Sequence, residues 1–169
     1  AMVVRESELL ARTDLSSVRI VRMGSSPVSD KLLAQVRQVF GNVNLSNHYG
    51  TTEGGPLVFG AGPGGKVTPD GGAGWPLPGV DVRLVDEQGR VAADQGVLVH
   101  KTPATMKGYL NLPEKTRAVL SDDGWYFSGD IFRRDEDGCY WFVSRSDDMF
   151  VCGGENIHPQ EAERVLEMH

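Results

Sequence analysis

The sequence is poor in cysteine, in clustered positive charge and in long apolar runs, and each shortage disfavours a class of protein. Its two cysteines, Cys139 and Cys152, form no CxxC pair and have no histidine cluster near them, so a metal–thiolate site is disfavoured. A formal net charge of −6 without a Lys/Arg block argues against a nucleic-acid or anionic-membrane partner. No apolar run is long enough to span a membrane and no charged-then-apolar leader opens the chain, so we expect a cytoplasmic protein with reduced thiols.

Glycine, by contrast, is abundant. The chain has 21 glycines in 169 residues, whereas glycine makes up roughly 7% of an average protein. With 40% hydrophobic and 24% charged residues, the composition is typical of a globular protein. The glycines indicate many turns and places where the backbone comes close to a neighbour or a ligand. The length suits one ordinary domain, or one domain plus part of another.

The first third of the sequence predicts a β-α-β unit. The run "LSSVRIVRMGSS" contains a strand over 17–23, Ser29 can cap a helix that Gly41 ends, and "NVNLSNHYG" holds a second short strand. We expect the two strands to be parallel, joined by a right-handed crossover. The polar clusters "MGSSP" and "HYGTTE" then follow the carboxyl ends of both strands and face one crevice, where α/β sheets bind ligands.

From about residue 56 the sequence changes character, and short strands and turns follow one another. The runs "VDVRLVDEQGR", "GVLVHK", "GWYFSGDIFRR" and "GCYWFVSR" each predict a strand, and Asp-Gly turns stand at 123–124 and 137–138. One helix, "LPEKTRAVL", places Pro113 in its first turn. After Arg145, "MFVCGGENIHP" predicts a strand and a loop, and "PQEAERVLEM" begins a helix that runs into the last residue. We therefore interpret the chain as a fragment of a longer protein.

The segment "GAGPGGKV", residues 60–67, matches two phosphate-binding patterns, G-x-x-x-x-G-K and G-x-G-x-x-G. The first pattern needs Ser or Thr after the lysine to hold magnesium, but Val67 stands there. Both need a helix directly after the glycines, so that its N-terminal amides face the phosphates, and "VTPDGGAG" cannot form one. We predict a mobile surface loop and no phosphate site.

Six ordered segments resemble the motifs of the adenylate-forming superfamily, which comprises acyl- and aryl-CoA synthetases, peptide-synthetase adenylation domains and luciferases. They are "MGSSPVS", "YGTTEGG", "GWPLPGVDVRLVD", "GVLVHKTPATMKGYLN", "DGWYFSGD" and "SRSDDMFVCGGENIHPQEAERVL". They cover nearly the whole chain, and "GGENIHP" is most similar to the aryl- and medium-chain acyl-CoA ligase branch.

The resemblance implies an α/β plus β fold in three parts. Residues 1–146 would be the C-terminal part of a large adenylate-binding domain. Within it, 1–60 would end a parallel α/β sheet subdomain, and 61–146 would form a small, mostly antiparallel, β-barrel-like subdomain. Residues 147–169 would be the hinge and the start of a small α+β C-terminal domain.

The resemblance also implies a nucleotide site built from residue types that suit an adenylate. Tyr49 would stack on adenine, the alternative being a core aromatic. Thr52 and Glu53 would be catalytic, with the hydroxyls of Thr51 and Thr52 on phosphate oxygens and the Glu53 carboxylate on Mg²⁺. Asp130 would accept both ribose hydroxyls, the alternative being a β-turn aspartate. The implied nucleotide-binding set is Gly24, Ser25, Ser26, Tyr49, Gly50, Thr51, Thr52, Asp130 and Arg145.

A moving small domain and a thiol channel follow from the same resemblance. Asp147 matches the hinge about which the small domain rotates. Gly153 and Gly154 would line the CoA channel, since glycine lets a pantetheine arm pass close to the backbone. Glu155 and His158 have the residue types of a metal pair, but a loop is the favoured interpretation.

The implied activity is that of an ATP-dependent acid–thiol ligase. The full-length enzyme would convert a carboxylic acid, with ATP and Mg²⁺, to acyl-AMP and then transfer the acyl group to CoA. An adenylation domain that loads a carrier protein, a nucleotide-binding module without chemistry and a homodimeric full-length enzyme stay open. Gly54 and Gly55 are expected to leave room beside the phosphate. The family's phosphate-cradling loop and acylation lysine have no counterpart here, so we expect the 169-residue chain alone to be inactive.

Overall fold

A computed structural model describes residues 7–24, 28–41, 43–148, 150–152, 155–157, 159 and 165–166. Its helices are α1 (Ser7–Ala11), α2 (Asp30–Phe40) and α3 (Pro113–Val119), with a 3₁₀ turn at Pro63–Gly65. Its strands are β1 (Ile20–Gly24), β2 (Asn44–His48), β3 (Phe59–Gly60), β4 (Trp75–Pro76), β5 (Asp81–Val85), β6 (Val91–Ala92), β7 (Gln95–Lys101), β8 (Tyr126–Arg134), β9 (Tyr140–Arg145), β10 (Phe150–Cys152) and β11 (Glu155–Ile157).

The predicted β-α-β unit is confirmed. Strands β1 and β2 pair in parallel, and the Ser29 hydroxyl accepts a hydrogen bond from the backbone N–H of Leu32 (3.3 Å), which caps α2. Gly41 ends the helix at φ 65°. The first strand begins at Ile20 and not at residue 17, because Val18 N–H donates to the Leu15 carbonyl (3.0 Å) in a preceding turn. The core of this part consists of Leu33, Val36, Val43 and Leu45.

The β-rich part is an open five-stranded antiparallel sheet in the order β6-β5-β7-β8-β9. The prediction of a barrel-like subdomain is wrong for the described strands, which form no closed barrel. Closure would require β6 to pair with β9, but β6 is two residues long, and the outer edge of β9 instead makes one bridge, between Tyr140 and Gly74. The buried core of this part consists of Val58, Phe59, Ala73, Leu84, Leu98, Phe132 and Tyr140.

The predicted turns and the helix over 113–119 are confirmed. Gly124 and Gly138 occupy positive φ (87° and 79°) in the two Asp-Gly turns, and Pro113 opens α3. Residues 66–73, which follow the glycines of "GAGPGGKV", form no helix, as predicted. Lys66 instead lies 3.0 Å from the Asp137 carboxylate. The mobility of this loop stays a prediction.

Cys139 lies just before β9 and is fully buried. Its backbone N–H donates to the Asp135 carboxylate (2.9 Å), which closes the turn into the strand. Burial raises the pKa of the Cys139 thiol, so the side chain stays protonated and behaves as a small apolar group.

After residue 148 the structure shows an antiparallel pair, β10 with β11, in which Phe150 is opposite Ile157. The sequence predicted a strand and a loop, so the second strand, over 155–157, corrects the loop. Gly153, Gly154 and His158, like Ser25 and Ser26, lie outside the described residues. The division into domains at 146/147 stays a prediction. None of the helices in the described part of the chain combines the length and apolarity that crossing a membrane requires.

Candidate nucleotide site

Asp130 lies on β8, opposite Arg145 of β9. Alternation along β8 turns its side chain to the buried face, and the residue is 5% exposed. Its backbone N–H donates to the Ser128 hydroxyl (3.0 Å), and that hydroxyl donates to the Leu98 carbonyl (2.8 Å) on the neighbouring strand β7. Gly129, at φ 72°, lets the strand turn between these two residues. The sheet therefore fixes the position of the Asp130 carboxylate.

Both oxygens of that carboxylate have partners. The Tyr49 hydroxyl donates to Oδ2 (2.5 Å), and Arg145 Nη1 donates to Oδ1 (3.2 Å). Burial raises the pKa of Asp130, while these two bonds act in the opposite direction. The pKa of the Tyr49 phenol is also raised, first by burial and then by the Asp130 charge, so Tyr49 remains a donor. The segments "YGTTEGG" and "DGWYFSGD" thus meet in the buried hydrogen bond between Tyr49 and Asp130.

The ring of Tyr49 packs against the aromatic core. It stands edge-on to Phe132 (ring centroids 4.8 Å apart) and tilted to Phe59 (5.9 Å). The Tyr49 carbonyl accepts from Val58 N–H (3.0 Å), which ties the end of β2 to this core. The packing is that of the core-aromatic alternative, and stacking of Tyr49 on adenine stays a prediction.

Residues 51–55 form a tight turn between Tyr49 and β3. Thr51 and Gly55 exchange two backbone hydrogen bonds (2.9 and 3.0 Å), and the Thr51 hydroxyl accepts from Gly54 N–H (2.8 Å). The Thr51 oxygen thus stabilises the turn itself, whereas Thr52 is exposed at its tip. Phosphate contacts by both threonines stay predictions.

The glycines of this turn face the protein interior. A Cβ on Gly54 would lie 2.2 Å from Cε1 of His100, and one on Gly55, which has φ 111°, would lie 2.8 Å from the Thr102 hydroxyl. The rings of His100 and Tyr126 occupy the space into which a side chain on Gly54 would extend. Packing thus accounts for the glycines at 54 and 55. The expectation that they leave room beside a phosphate stays a prediction.

The other predicted glycines, Gly24 and Gly50, also sit where backbones approach closely. A Cβ on Gly24 would lie 2.6 Å from the carbonyl oxygen of His48 on the paired strand, and one on Gly50 would lie 2.3 Å from Pro56. Both positions exclude a side chain for reasons of packing. Contact of either glycine with a nucleotide stays a prediction.

Glu53 is half-buried, and one of its two carboxylate oxygens accepts a hydrogen bond. The Tyr109 hydroxyl donates to Oε1 (2.9 Å), and the Glu53 carbonyl accepts from Met106 N–H (2.7 Å). Among the described residues Oε2 has no partner, and no group of three His, Cys, Asp or Glu side chains could bind a metal by itself. One carboxylate oxygen suits Mg²⁺ when phosphate oxygens and water complete its coordination. The residues present therefore fit a magnesium ion that arrives with a nucleotide.

Arg145 links Asp130 to the predicted hinge residue. Besides Asp130, it contacts both carboxylate oxygens of Asp147, from Nε to Oδ1 (2.9 Å) and from Nη2 to Oδ2 (3.3 Å). These bonds lower the pKa of Asp147 and raise that of Arg145, so both remain charged. Arg145 is therefore paired with two carboxylates, those of Asp130 and Asp147.

These residues agree with the comparisons with known proteins. A family model described as AMP-binding enzyme matches residues 1–110. The chain belongs to this AMP-binding enzyme family. It is 37% identical over 163 residues to a long-chain-fatty-acid–CoA ligase of Bacillus subtilis. It is 38% identical over 169 residues to a medium/long-chain-fatty-acid–[acyl-carrier-protein] ligase of Mycobacterium tuberculosis. These matches cover 95% and 93% of this chain but 29% and 31% of the relatives, so the chain spans less than a third of their length.

Solved structures give the same assignment. An amide bond synthetase from Marinactinospora thermotolerans matches with a TM-score of 0.82 and 33% identity, over 97% of this chain and 33% of its own. An O-succinylbenzoate coenzyme A synthetase from Bacillus subtilis, solved with ATP and magnesium, matches with a TM-score of 0.77 and 29% identity, over 95% of this chain and 34% of its own. The superfamily inferred from the six motifs is thereby confirmed for this chain.

Sequence reasoning missed three residues around the turn over 51–55: His100, Thr102 and Tyr109. His100 is fully buried below Gly54, and neither ring nitrogen has a hydrogen-bond partner among the described residues. The Thr102 hydroxyl donates to the Gly54 carbonyl (2.9 Å). All three lie in "HKTPATMKGY", within the segment "GVLVHKTPATMKGYLN", for which the sequence predicted no site residue. A single buried histidine at the end of an apolar strand was the one available signal.

Proposed function

We propose that the full-length enzyme containing this chain activates a carboxylic acid with ATP and then transfers the acyl group to CoA. The observation that carries the proposal is the hydrogen bond from Tyr49 to Asp130, which joins residues 81 positions apart in the sequence. It brings the two predicted halves of a nucleotide site together around one buried carboxylate. Membership of the AMP-binding family supports the same activity.

Asp130 would hold the ribose. An ionised carboxylate offers about four lone-pair directions, and Tyr49 and Arg145 use two of them. The remaining directions suit the two hydroxyl protons of a ribose diol. Because Asp130 is fixed by β8 and its neighbours, little reorganisation would be needed when the nucleotide binds.

The turn over 51–55 would face the phosphates. The exposed Thr52 hydroxyl would donate to a phosphate oxygen, and Oε2 of Glu53 would be a ligand of Mg²⁺. A bound Mg²⁺ would neutralise charge on the phosphates. The acid's carboxylate oxygen attacks the α-phosphorus, the bond to the β-phosphate breaks, and acyl-AMP and pyrophosphate are formed. Glu53 and the threonines would keep the phosphate chain in line for this displacement.

The second half-reaction would use the residues after β9. Asp147 would be the hinge of the small domain, and Gly153 and Gly154 would line the channel for the CoA thiol. The thiol loses its proton to solvent, its sulfur attacks the acyl carbonyl carbon, the bond from that carbon to the phosphate oxygen breaks, and AMP leaves as the thioester forms. Movement at Asp147 would have to break its two contacts with Arg145.

A carrier protein is the alternative acceptor. The relative from Mycobacterium tuberculosis, 38% identical, is a ligase for an acyl-carrier protein. The phosphopantetheine thiol of a carrier protein would react as the thiol of CoA does. A cytoplasmic location and the substrate set of a carboxylic acid, ATP and CoA belong to the same proposal. Size-exclusion chromatography of the full-length enzyme tests whether it is a homodimer.

The test is an assay of both half-reactions with the full-length enzyme and a panel of acids. Acid-dependent exchange of pyrophosphate into ATP measures adenylation, and thioester formation is followed with CoA and with a carrier protein. We expect exchange and thioester formation with CoA. Thioester on the carrier protein alone would support the alternative. Nucleotide binding without exchange for any acid would contradict both and indicate a non-catalytic module.

A further inference from the structure

A segment behind the turn holds it by three hydrogen bonds. We call residues 102–109 the backing segment. Its Thr102 hydroxyl donates to the Gly54 carbonyl (2.9 Å), and its Met106 N–H donates to the Glu53 carbonyl (2.7 Å). The third bond, from the Tyr109 hydroxyl to Oε1 of Glu53 (2.9 Å), differs from the other two because it reaches a side chain of the candidate site. The first two bonds fix the backbone of the turn, and the third fixes the direction of the carboxylate.

Tyr109 is itself anchored at the start of α3. Its backbone N–H donates to the Thr116 hydroxyl oxygen (2.9 Å), and that hydroxyl donates to the Leu112 carbonyl (3.1 Å). Gly108, at φ 144°, lets the chain pass so close to Thr116 that a Cβ would lie 2.8 Å from its methyl carbon. The Tyr109 side chain therefore starts from a backbone with little freedom, and its hydroxyl can act as a fixed donor.

The single phenolic proton of Tyr109 is used on Glu53. A phenol has an ordinary pKa of about 10, so the Tyr109 hydroxyl is protonated at neutral pH and donates its proton to Glu53. It has no second proton to offer to a substrate phosphate. While the bond to Glu53 is present, Tyr109 cannot also donate to a substrate. Any effect of its hydroxyl on the site is therefore exerted through the Glu53 carboxylate.

We propose that Tyr109 is a positioning residue for the cation site: it holds one oxygen of Glu53 so that the other faces the nucleotide's metal ion. The inference rests on the proposed function, because it takes Glu53 as a metal ligand. A free glutamate carboxylate rotates about its last bond and loses that freedom when it binds a cation. A donor that already fixes the carboxylate removes part of this cost before the metal arrives. Tyr109 thus acts on metal affinity and not on ribose binding.

The test compares Tyr109→Phe with Tyr140→Phe in the full-length enzyme. Both variants lose one hydroxyl, but Tyr140 packs on Phe59 in the core (ring centroids 5.0 Å apart). Binding of Mn²⁺ in the presence of ATP is measured from the electron paramagnetic resonance signal of free Mn²⁺. We expect Tyr109→Phe to weaken Mn²⁺ binding about threefold to tenfold, which is the net effect of one typical hydrogen bond. The affinity for AMP without metal should stay within about twofold of wild type, and Tyr140→Phe should change neither quantity.

A second variant separates failure of the inference from failure of the proposed function. Glu53→Gln should weaken Mn²⁺ binding at least as much as Tyr109→Phe does, because it removes the charge that attracts the cation. If Glu53→Gln has no effect, the proposed metal role of Glu53 fails and the inference falls with it. If Glu53→Gln weakens Mn²⁺ binding and Tyr109→Phe does not, the inference alone is wrong.

A double-mutant cycle covers the case in which Tyr109→Phe also lowers the melting temperature. The cycle measures the effect of Glu53→Asp on Mn²⁺ affinity twice, once in the wild-type enzyme and once in the enzyme that carries Tyr109→Phe. If Tyr109 acts through the Glu53 carboxylate, the two substitutions are coupled, and Glu53→Asp costs less affinity in the second enzyme than in the first. Equal costs in both enzymes would mean a merely structural tyrosine and would overturn the inference.

Discussion

The two ends of the candidate site, at Asp130 and at Glu53, are built differently. Asp130 is 5% exposed, sits within a sheet, and has both carboxylate oxygens engaged by Tyr49 and Arg145. Glu53 is half-buried on a five-residue turn and has one oxygen engaged. A buried charge is tolerable only with partners in the protein itself. A carboxylate that binds a cation instead needs an oxygen that no protein group occupies, and Glu53 has one, Oε2, among the described residues.

This difference separates stability from function. Removing the Asp130 carboxylate leaves the buried Tyr49 phenol without its acceptor and leaves Arg145 with Asp147 as its carboxylate partner, so it should affect both folding and binding. Removing the charge of Glu53 leaves its backbone bond to Met106 unchanged, so it should affect chemistry without unfolding the turn. Four variants test this separation, from the largest expected effect to the smallest.

Glu53→Gln should reduce the rate of acid-dependent pyrophosphate exchange by roughly 10² to 10³, the effect of losing one charge-stabilising contact. The free energy of unfolding should change by less than about 0.5 kcal/mol, because the side chain is half-exposed and keeps an acceptor for Tyr109. Exchange kinetics and thermal unfolding of the full-length enzyme measure the two effects. If the free energy of unfolding fell by more than the activation free energy of exchange rose, Glu53 would be a structural residue, contrary to this prediction.

His100, below the Glu53 turn, should make stability fall at acid pH. Burial lowers its pKa to about 4 from the ordinary value of 6.5. Between pH 6.5 and about 4, the unfolded chain therefore binds a proton at His100 that the folded chain does not bind. The stability contributed by neutral His100 is complete above pH 6.5, declines as the pH falls through this range, and levels off near pH 4. The loss amounts to about 3 kcal/mol at most.

The control variant is His100→Leu, which replaces the imidazole with an apolar side chain of similar size that does not titrate. Thermal unfolding of both proteins near neutral pH and at about pH 4.5, within the range where His100 titrates on unfolding, gives the difference in acid sensitivity. His100→Leu should be the less sensitive of the two. Equal sensitivity would mean that His100 is not the neutral, desolvated group that its burial indicates.

Asp130→Ala should weaken AMP and ATP binding by about 1.5–3 kcal/mol, because a charged acceptor of two ribose hydroxyls is lost. Isothermal titration of the full-length enzyme measures it, and deoxyadenosine analogues sharpen the result, since they should lose less affinity to the substitution than ATP does. Nucleotide affinity equal to that of the wild type would contradict the ribose assignment.

Asp147→Pro should change the free energy of unfolding only slightly, by less than about 1 kcal/mol, because the ion pair with Arg145 is exposed. Its effect should be on motion: proline fixes φ, so one half-reaction should slow more than the other. Single-turnover adenylation and thioester formation are compared, with Asp148→Pro as the neighbouring control. Equal slowing of both steps would argue against a hinge at Asp147.

Local signals predicted the parts of the fold that depend on neighbouring residues. The Ser29 cap, the Gly41 stop and the Asp-Gly turns are each specified by one or two side chains, and all are present. Barrel closure depends on pairing between distant edges, which strand patterns do not encode, and among the described strands β6 pairs with β5 alone. Helix α1 carries no strong signal and was not predicted.

For the site, the sequence identified residue types and motifs but not the contacts between them. The bonds of Tyr49 with Asp130 and of Tyr109 with Glu53 join residues 81 and 56 positions apart, which no periodicity reveals. The direction of Gly54 likewise depends on His100, a residue of another strand. The motifs therefore supplied the residues, and the fold supplied their geometry.

The buried thiol of Cys139 can serve as an intrinsic probe of local opening near the start of β9. A thiol reagent reacts with an exposed thiolate, so Cys139 can be alkylated only when a local opening at the start of β9 exposes it. In a Cys152→Ser background the alkylation rate would thus give the free energy of that local opening. A nucleotide that binds the closed form slows alkylation by a factor set by its concentration and dissociation constant. Titrating AMP against this rate would measure nucleotide affinity without any added label.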